Sequence, residues 1–483
     1  MRYNLIFNLM GLSSKYIALI FIMPVIAAII LKEFNQIPPF LITAVLSYFA
    51  GILLNLKKVP QKDIDNIKKS ESLVAVLFVW VFFAFLCSIP YLFYNFTFSD
   101  ACFEAVAGVT TTGSTVIQNY DLYPKTLFFY RSLTHWFGGM GIVVLFIAVL
   151  PKIAVAGRQM FYAEAPVPVE DKATPRIRFT ASWLWGIYFA FTIAEIIVLK
   201  LLGLNLFDAT LTSLSTISTG GFLHLPNSVA DFHNNWVGVC ITIFTFIAGM
   251  NYILIYRSFK NKRITPVLKS EEFRAYFLIA AILTLFLSAS LYFNSHQSAL
   301  KSFLNASFEI VTTMTSTGFG IDNYVNWDLA SKAILFMAFF TGGCAASTSG
   351  GIKIIRWVFI FKYLKREINK IIHPQAVYPI KLEGMTVAND VISQLVAFFA
   401  FYFAIFASCS FLIILIEKNI TVAISSAATA IGNVGPGFGI VGPMGSFASL
   451  NIFTKWILIF LMLIGRLEII PFLAILNKDL WKN

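Results

Sequence analysis

Charge is what this 483-residue chain has least of. Asp, Glu, Lys and Arg make up only 12% of it, about half their share in a soluble domain. Hydrophobic residues make up 58%, and Phe alone occurs 50 times. With a mean hydropathy of +0.78, a water-soluble fold is excluded, and the usual residues-per-domain rule with it. Cysteine is scarce too. Cys87, Cys102, Cys240, Cys344 and Cys409 are scattered, odd in number and form no CxxC pair, so neither a disulfide framework nor a cysteine metal site is indicated. The histidines, His135, His224, His233, His296 and His373, fall mostly near helix ends and in loops without ligand spacing, which argues against an intramembrane enzyme. Short alternating strands are missing, which argues against a β-barrel. No small-residue cleavage pattern follows the apolar run at 17–31, so that run reads as a retained helix.

What is present is helix-length apolar sequence, the mark of a polytopic membrane protein. The net charge of +12 does not point to nucleic acid. Of the 36 Lys and Arg residues, 21 lie in four loops, at 57–69, 152–178, 257–274 and 362–381. The intervening loops hold almost none. This bias sets orientation in a bilayer and puts the four basic loops and both termini in the cytoplasm.

The organising stretch is 110–115, Thr-Thr-Thr-Gly-Ser-Thr, too polar to face lipid. Related turns recur as Ser218-Thr219-Gly220-Gly221-Phe222, Ser316-Thr317-Gly318-Phe319-Gly320 and Asn433-Val434-Gly435-Pro436-Gly437. Gly113, Gly220, Gly318 and Gly435 lie 107, 98 and 117 residues apart. After helices at about 15–32 and 38–56, a unit repeats: an apolar helix, a short semi-polar helix, the turn, and a second apolar helix. The short helices, at 100–111, 207–218, 301–316 and 420–432, fall below the ~20 residues a span needs. They must enter and leave on one face, opposite the basic loops. Their long partners are expected at 72–95 and 127–150, 181–204 and 234–256, 274–294 and 329–362, and 388–416 and 452–476. The expected fold class is all-α integral membrane: four M1–P–M2 re-entrant pore repeats with pseudo-four-fold symmetry plus an N-terminal helix pair. The units divide as 1–60, 61–156, 157–262, 263–380 and 381–483.

Four such turns suit a dehydrated cation, because rings of backbone carbonyls replace its water without full charges in the membrane. Glycine permits the backbone conformations this needs. Asp100, Glu104, Asp208 and Glu309, early in the short helices, read as N-terminal caps. Arg131 and His135 read as interfacial. The third returning helix is interrupted at 341–351, Thr-Gly-Gly-Cys-Ala-Ala-Ser-Thr-Ser-Gly-Gly. Four glycines in eleven small or polar residues do not sustain a helix; a close packing face would need one small residue per turn instead. A loop here suggests a movable gate. Arg466 and Glu468 fall inside the last helix, where an arginine costs at least ~2.5 kcal/mol; it either faces a pore or pairs with a neighbouring helix. Glu195 reads as a packing or subunit-contact residue. An inverted-repeat exchanger would place acids in the turns, and none is there.

Phe103-Glu104-Ala105-Val106 leading into Thr110-Thr111-Thr112-Gly113, together with the other three turns, resembles the potassium-transporter superfamily that includes the TrkH, KtrB and plant HKT proteins. The likeness covers nearly the whole chain. The N-terminal helix pair, the loop 157–166 (Gly-Arg-Gln-Met-Phe-Tyr-Ala-Glu-Ala-Pro) and Thr174-Pro175-Arg176-Ile177 look like TrkH. The resemblance implies potassium uptake across a bacterial inner membrane, with K+ as transported ion, no bound organic cofactor and no enzymatic activity. It implies a homodimer in membrane lipid, without nucleic acid. A cytoplasmic TrkA-type nucleotide-binding subunit would regulate it, since this chain has no nucleotide-binding fingerprint. A sodium/potassium or proton-coupled cation symporter of the same fold is the alternative. The filter carries over to Thr112, Gly113, Thr219, Gly220, Thr317, Gly318, Val434 and Gly435, where glycine in all four turns goes with potassium. Val434 departs from the Thr-Gly pattern. The gate carries over to Gly342, Gly343, Ser347, Thr348, Gly350, Gly351 and Arg466, the last a basic residue below the filter.

Overall fold

Apolar sequence in lipid must satisfy its backbone internally, and the computed structural model is helical almost throughout. It describes residues 1–57, 59–60, 67–141, 177–294, 298–382, 385–387, 389–467, 469 and 472. The loop 157–166, the segment 174–176, residues 142–150 of the first returning helix, His296 and Glu468 lie outside the described residues.

The chain opens with α1 (Tyr3–Ile20) and α2 (Ile22–Ile30), one span interrupted at Phe21. Pro24 cannot donate to the carbonyl four residues back, which accounts for the break. This span starts earlier than the apolar run suggests, because its polar residues turn inward. Ser13 and Ser14 donate to the carbonyls of Leu9 and Ser47. The return helix α3 (Ile37–Leu54) meets α1 where Gly11 faces Gly51; a Cβ on Gly51 would stand 2.7 Å from the Gly11 carbonyl oxygen. Small residues allow this close approach.

Four units follow. The first has α4 (Lys69–Leu92), the short α5 (Phe98–Val109) and α6 (Lys125–Met140). The second has α7 (Ile177–Leu201), the short α8 (Leu206–Ile217), α9 (Asn235–Ala248) and α10 (Tyr252–Asn261). After the five-residue α11 (Thr265–Lys269), the third has α12 (Glu271–Asn294), the short α13 (Ala299–Met314), α14 (Leu329–Ala338) and α15 (Ile354–Ile372). A two-residue hairpin, β1 (Lys381–Leu382) with β2 (Met385–Thr386), leads to α16 (Asn389–Glu417), the short α17 (Ile420–Gly432) and α18 (Ile452–Leu467). Among the described residues, six helical stretches are long and apolar enough to cross a membrane. The protein is an all-α, multi-pass membrane protein.

Each short helix starts at a polar cap. Thr97, Asn205, Ser298 and Asn419 accept from the backbone N–H three residues on, which satisfies an otherwise orphaned donor. The cap of α6 is borrowed: Glu33, from the connection after α2, accepts from the N–H of Lys125 and Thr126 at 3.1 and 2.9 Å. This ties the N-terminal pair to the first unit.

The helix expected at 234–256 is broken. α9 and α10 meet at 91° across Gly249-Met250-Asn251, and the Asn251 side chain caps α10 by accepting from Ile253 and Leu254. The break receives the interrupted segment of the third unit. Gly249 accepts from the N–H of Cys344 at 2.8 Å, and Ala346 accepts from that of Tyr252 at 3.2 Å.

Candidate functional site

The four turns adopt one conformation. One or two residues after each short helix stands a residue in the left-handed region, Thr111, Thr219, Ser316 or Asn433, with φ of 53–57°. Two residues later a glycine has positive φ: Gly113, Gly221, Gly318 and Gly435. Between them stand Thr112, Gly220, Thr317 and Val434. The N–H of each intermediate residue reaches five residues back, to the carbonyls of Ala107, Ser215, Thr312 and Thr429.

This corrects the register of the second turn. Thr219 and Gly220 do not match Thr112 and Gly113; they match Thr111 and Thr112, and the positive-φ glycine is Gly221. In a Gly-Gly pair, spacing alone does not tell which glycine takes the left-handed conformation.

The turns close on one another. A Cβ on Gly113 would overlap the carbonyl oxygen of Gly220, one on Gly221 that of Thr317, one on Gly318 that of Val434, and one on Gly435 that of Thr112. The order returns to its start, so the carbonyls of Thr112, Gly220, Thr317 and Val434 belong to one ring. Every junction is also pinned behind the ring. Arg131 donates to the Leu223 carbonyl (3.1 Å), Val229 N–H to Gly320 (3.1 Å), Tyr324 Oη to Pro436 (3.3 Å), and Ser114 Oγ to Gly435 (3.1 Å). One cavity opens over the ring, lined by Gly113, Gly221, Gly318 and Pro436 from the four turns.

Arg131 and His135 are not interfacial; both are buried against the first two turns. The Arg131 guanidinium lies 2.7 Å from Glu104, donates to Thr115 Oγ1 at 3.0 Å and sits 4.0 Å over the Phe222 ring. The His135 ring stands 2.9 Å from the Gly108 carbonyl and fills the space beside Gly220. Asp100 and Asp208 do occupy first turns. Glu104 and Glu309 correct the capping expectation. Their carboxylates accept from the N–H of Val116 and Ile321, both at 2.9 Å, in the chain leaving the turn. Each stands nine residues before its turn's glycine, a spacing that a helical cap does not require.

Beneath the ring, away from the cavity, runs the segment between α14 and α15. Its two arms pair: Gly342 N–H donates to Ile352 and Ile354 N–H to Gly343, at 2.8 and 3.0 Å. A close helix-packing face is therefore excluded. The tip touches three units. Thr348 Oγ1 donates to the carbonyls of Ile217 (3.1 Å) and Ala248 (3.3 Å), and Gly350 N–H donates to Ser316 Oγ. A Cβ on Gly350 would stand 2.7 Å from both Asn433 Cβ and the Gly432 carbonyl oxygen. Inside the loop Ser349 Oγ accepts from Gly343 N–H at 3.0 Å, Ser347 Oγ bonds Ser349 Oγ at 2.8 Å, and Lys353 Nζ donates to the Ser349 carbonyl. Gly351 takes positive φ at the turn back. Glu272, unremarked in the sequence, accepts from Ala345 N–H at 2.6 Å. Arg466 clasps the loop: it donates to the carbonyl of Thr348 (2.9 Å) and to those of Gly138 (2.6 Å) and Gly139 (2.9 Å) at the end of α6.

A family model described as TrkH, cation transport protein, matches residues 41–480. The Trk system potassium uptake protein TrkH of Salmonella typhimurium is 36% identical over 428 residues, 88% of each chain. TrkH of Vibrio parahaemolyticus is 34% identical over the full length of both chains. The crystal structure of the potassium transporter TrkH from Vibrio parahaemolyticus superposes with a TM-score of 0.89 at 32% identity, covering 100% of each chain. With a family match across nearly its whole length and the same all-α membrane fold, this chain belongs to the TrkH family of cation transport proteins.

Proposed function

We propose that this protein takes up potassium through the ring of turns. The observation that carries the reading is the cyclic packing of four equivalent turns, each glycine set against the next turn's carbonyl. Such a ring offers oxygens in place of an ion's hydration shell and places no acid on the path. The filter residues are Thr112, Gly113, Gly220, Gly221, Thr317, Gly318, Val434 and Gly435. The relatives named as potassium uptake proteins support K+ as the ion.

The loop 342–351 is the gate. It lies across the inner end of the ring, and Arg466 holds it there, its charge opposing cations. Moving Thr348 and Gly350 away from Ile217 and Ser316 opens the path. A cytoplasmic nucleotide-binding partner of the TrkA type drives that movement, and two copies of the chain assemble in the inner membrane with their termini in the cytoplasm. The basic loops on one side of the membrane support that orientation.

The test is growth of a bacterium lacking potassium uptake, on low potassium, with this chain and its regulatory partner supplied. Rescue is expected. Failure of a well-expressed protein to restore growth, or to pass potassium in vesicles, would overturn the assignment.

A further inference from the structure

Behind the second turn lies a carboxyl that the ring and the gate do not use. Glu195, on α7, is fully buried, and neither of its oxygens has a hydrogen-bond partner. It has no ion-pair partner among the described residues. The Thr216 hydroxyl lies beside it but donates to the Thr212 carbonyl at 2.8 Å. Cys240 on α9 and Tyr252 on α10 stand close enough to feel its charge, and neither is basic. Tyr188, two turns earlier on α7, donates to the Trp136 carbonyl. The hydroxyls of Thr212, Ser213, Thr245 and Tyr252, on the helices packed against α7, are also unpartnered. At a comparable distance ahead of their short helices, the other units bury Cys87, Leu287 and Cys409. The acid is peculiar to the second unit.

A carboxylate without a cation or donors does not persist in such a place; the group takes up a proton instead. A proton is also a ligand that needs no cavity. We propose that Glu195 is a proton-binding site in the membrane interior, neutral at neutral pH, whose neutrality holds the second turn in place. Binding is the uptake of one proton by the carboxylate, with no other bond made or broken. The carboxyl packs on Thr216, two residues before Ser218-Thr219-Gly220. Ionisation must draw water or a cation between α7 and α8, and the displacement passes to Gly220 and Gly221.

Infrared difference spectra of the full-length protein in liposomes, with potassium flux measured on the same preparation, test this. At neutral pH the wild type should show the carbonyl stretch of a protonated acid, lost in Glu195→Gln and shifted in Glu195→Asp. As the band disappears at alkaline pH, wild-type potassium flux should fall severalfold with one-proton dependence, whereas Glu195→Gln should keep its flux. An ionised Glu195 at neutral pH would overturn the proposal, as would a carboxylate signal that responds to sodium or potassium, which would mark a bound alkali cation. So would the same alkaline loss of flux in Glu195→Gln. Should Glu195→Gln fail to fold, the wild-type band and its shift in Glu195→Asp decide alone: an unmoved band overturns the assignment.

Discussion

The ring and the loop beneath it are both glycine-rich, yet they are held in different ways. Each turn of the ring is bonded to its own short helix, by a backbone N–H reaching five residues back. Its glycines leave no room for a side chain, and every junction carries a further hydrogen bond, from the Arg131, Tyr324 and Ser114 side chains or the Val229 N–H. The loop has one short stretch of backbone pairing at its base. Its tip hangs from a few hydrogen bonds: Thr348 to the second unit, Gly350 to Ser316 of its own unit, and Arg466 of the fourth unit to the Thr348 carbonyl. Interdigitated backbone gives a fixed geometry; a few separable hydrogen bonds, each contributing about 1 kcal/mol, are a weaker hold. Glycine gives closeness in both, and in the loop it also defeats the helix.

Four experiments would break or sharpen this contrast. The largest effect belongs to the ring. Gly318→Ala combines positive φ with overlap on the Val434 carbonyl, a strain on the order of 1–3 kcal/mol or more. Potassium flux should fall about 100-fold, in isotope uptake by vesicles, without loss of folded protein. Near-normal flux would show that the ring yields like the loop. Arg131→Met comes next, because it leaves Glu104 buried without its cation; the expected cost is about 3–5 kcal/mol, read as a large drop in melting temperature in detergent. Adding Glu104→Gln should recover most of the loss. If it does not, the pair is not what braces the first turn.

For the loop, Arg466→Gln should raise resting flux about tenfold, the low end of the scale of one charge-assisted hydrogen bond. Unchanged resting flux would mean that the loop is as firmly held as the ring. The smallest effect is a control outside both regions. Glu71 is held well below the usual carboxylate range, at about 2; burial alone would raise it, but bonds from Arg2 and from the Lys68 N–H outweigh that. A lowered acid stabilises the fold above its unfolded value near 4.5 and loses that contribution as pH falls toward 2. Glu71→Gln should therefore lower stability modestly at neutral pH, since Arg2 is partly exposed, and the difference should vanish in acid while flux selectivity stays unchanged. A destabilisation that persists in strong acid would remove the pairing from the account.

Much of this was legible in the residues. The short helices begin within two residues of expectation because Thr97, Asn205, Ser298 and Asn419 cap them. The break at 341–351 was visible because four glycines defeat a helix. The break at Gly249–Asn251 was harder to read, since one Gly and one Asn within apolar sequence are compatible with a continuous span, and what holds the bend is a distant loop. The burial of Arg131 is hidden in the sequence for a similar reason. Its partner is 27 residues away, and only the packing of α5 against α6 brings them together.

By itself, the sequence determined the membrane environment, the four-fold repetition and the two places where glycine prevails, because composition, period and helix propensity are local or cumulative properties. The tertiary structure alone decided that the positive-φ glycine of the second turn is Gly221 rather than Gly220. It also decided that Glu104 serves a turn rather than a helix start, and that Arg466 grips the loop. Those depend on which backbone stands within reach, and distance across the fold is not written along the chain.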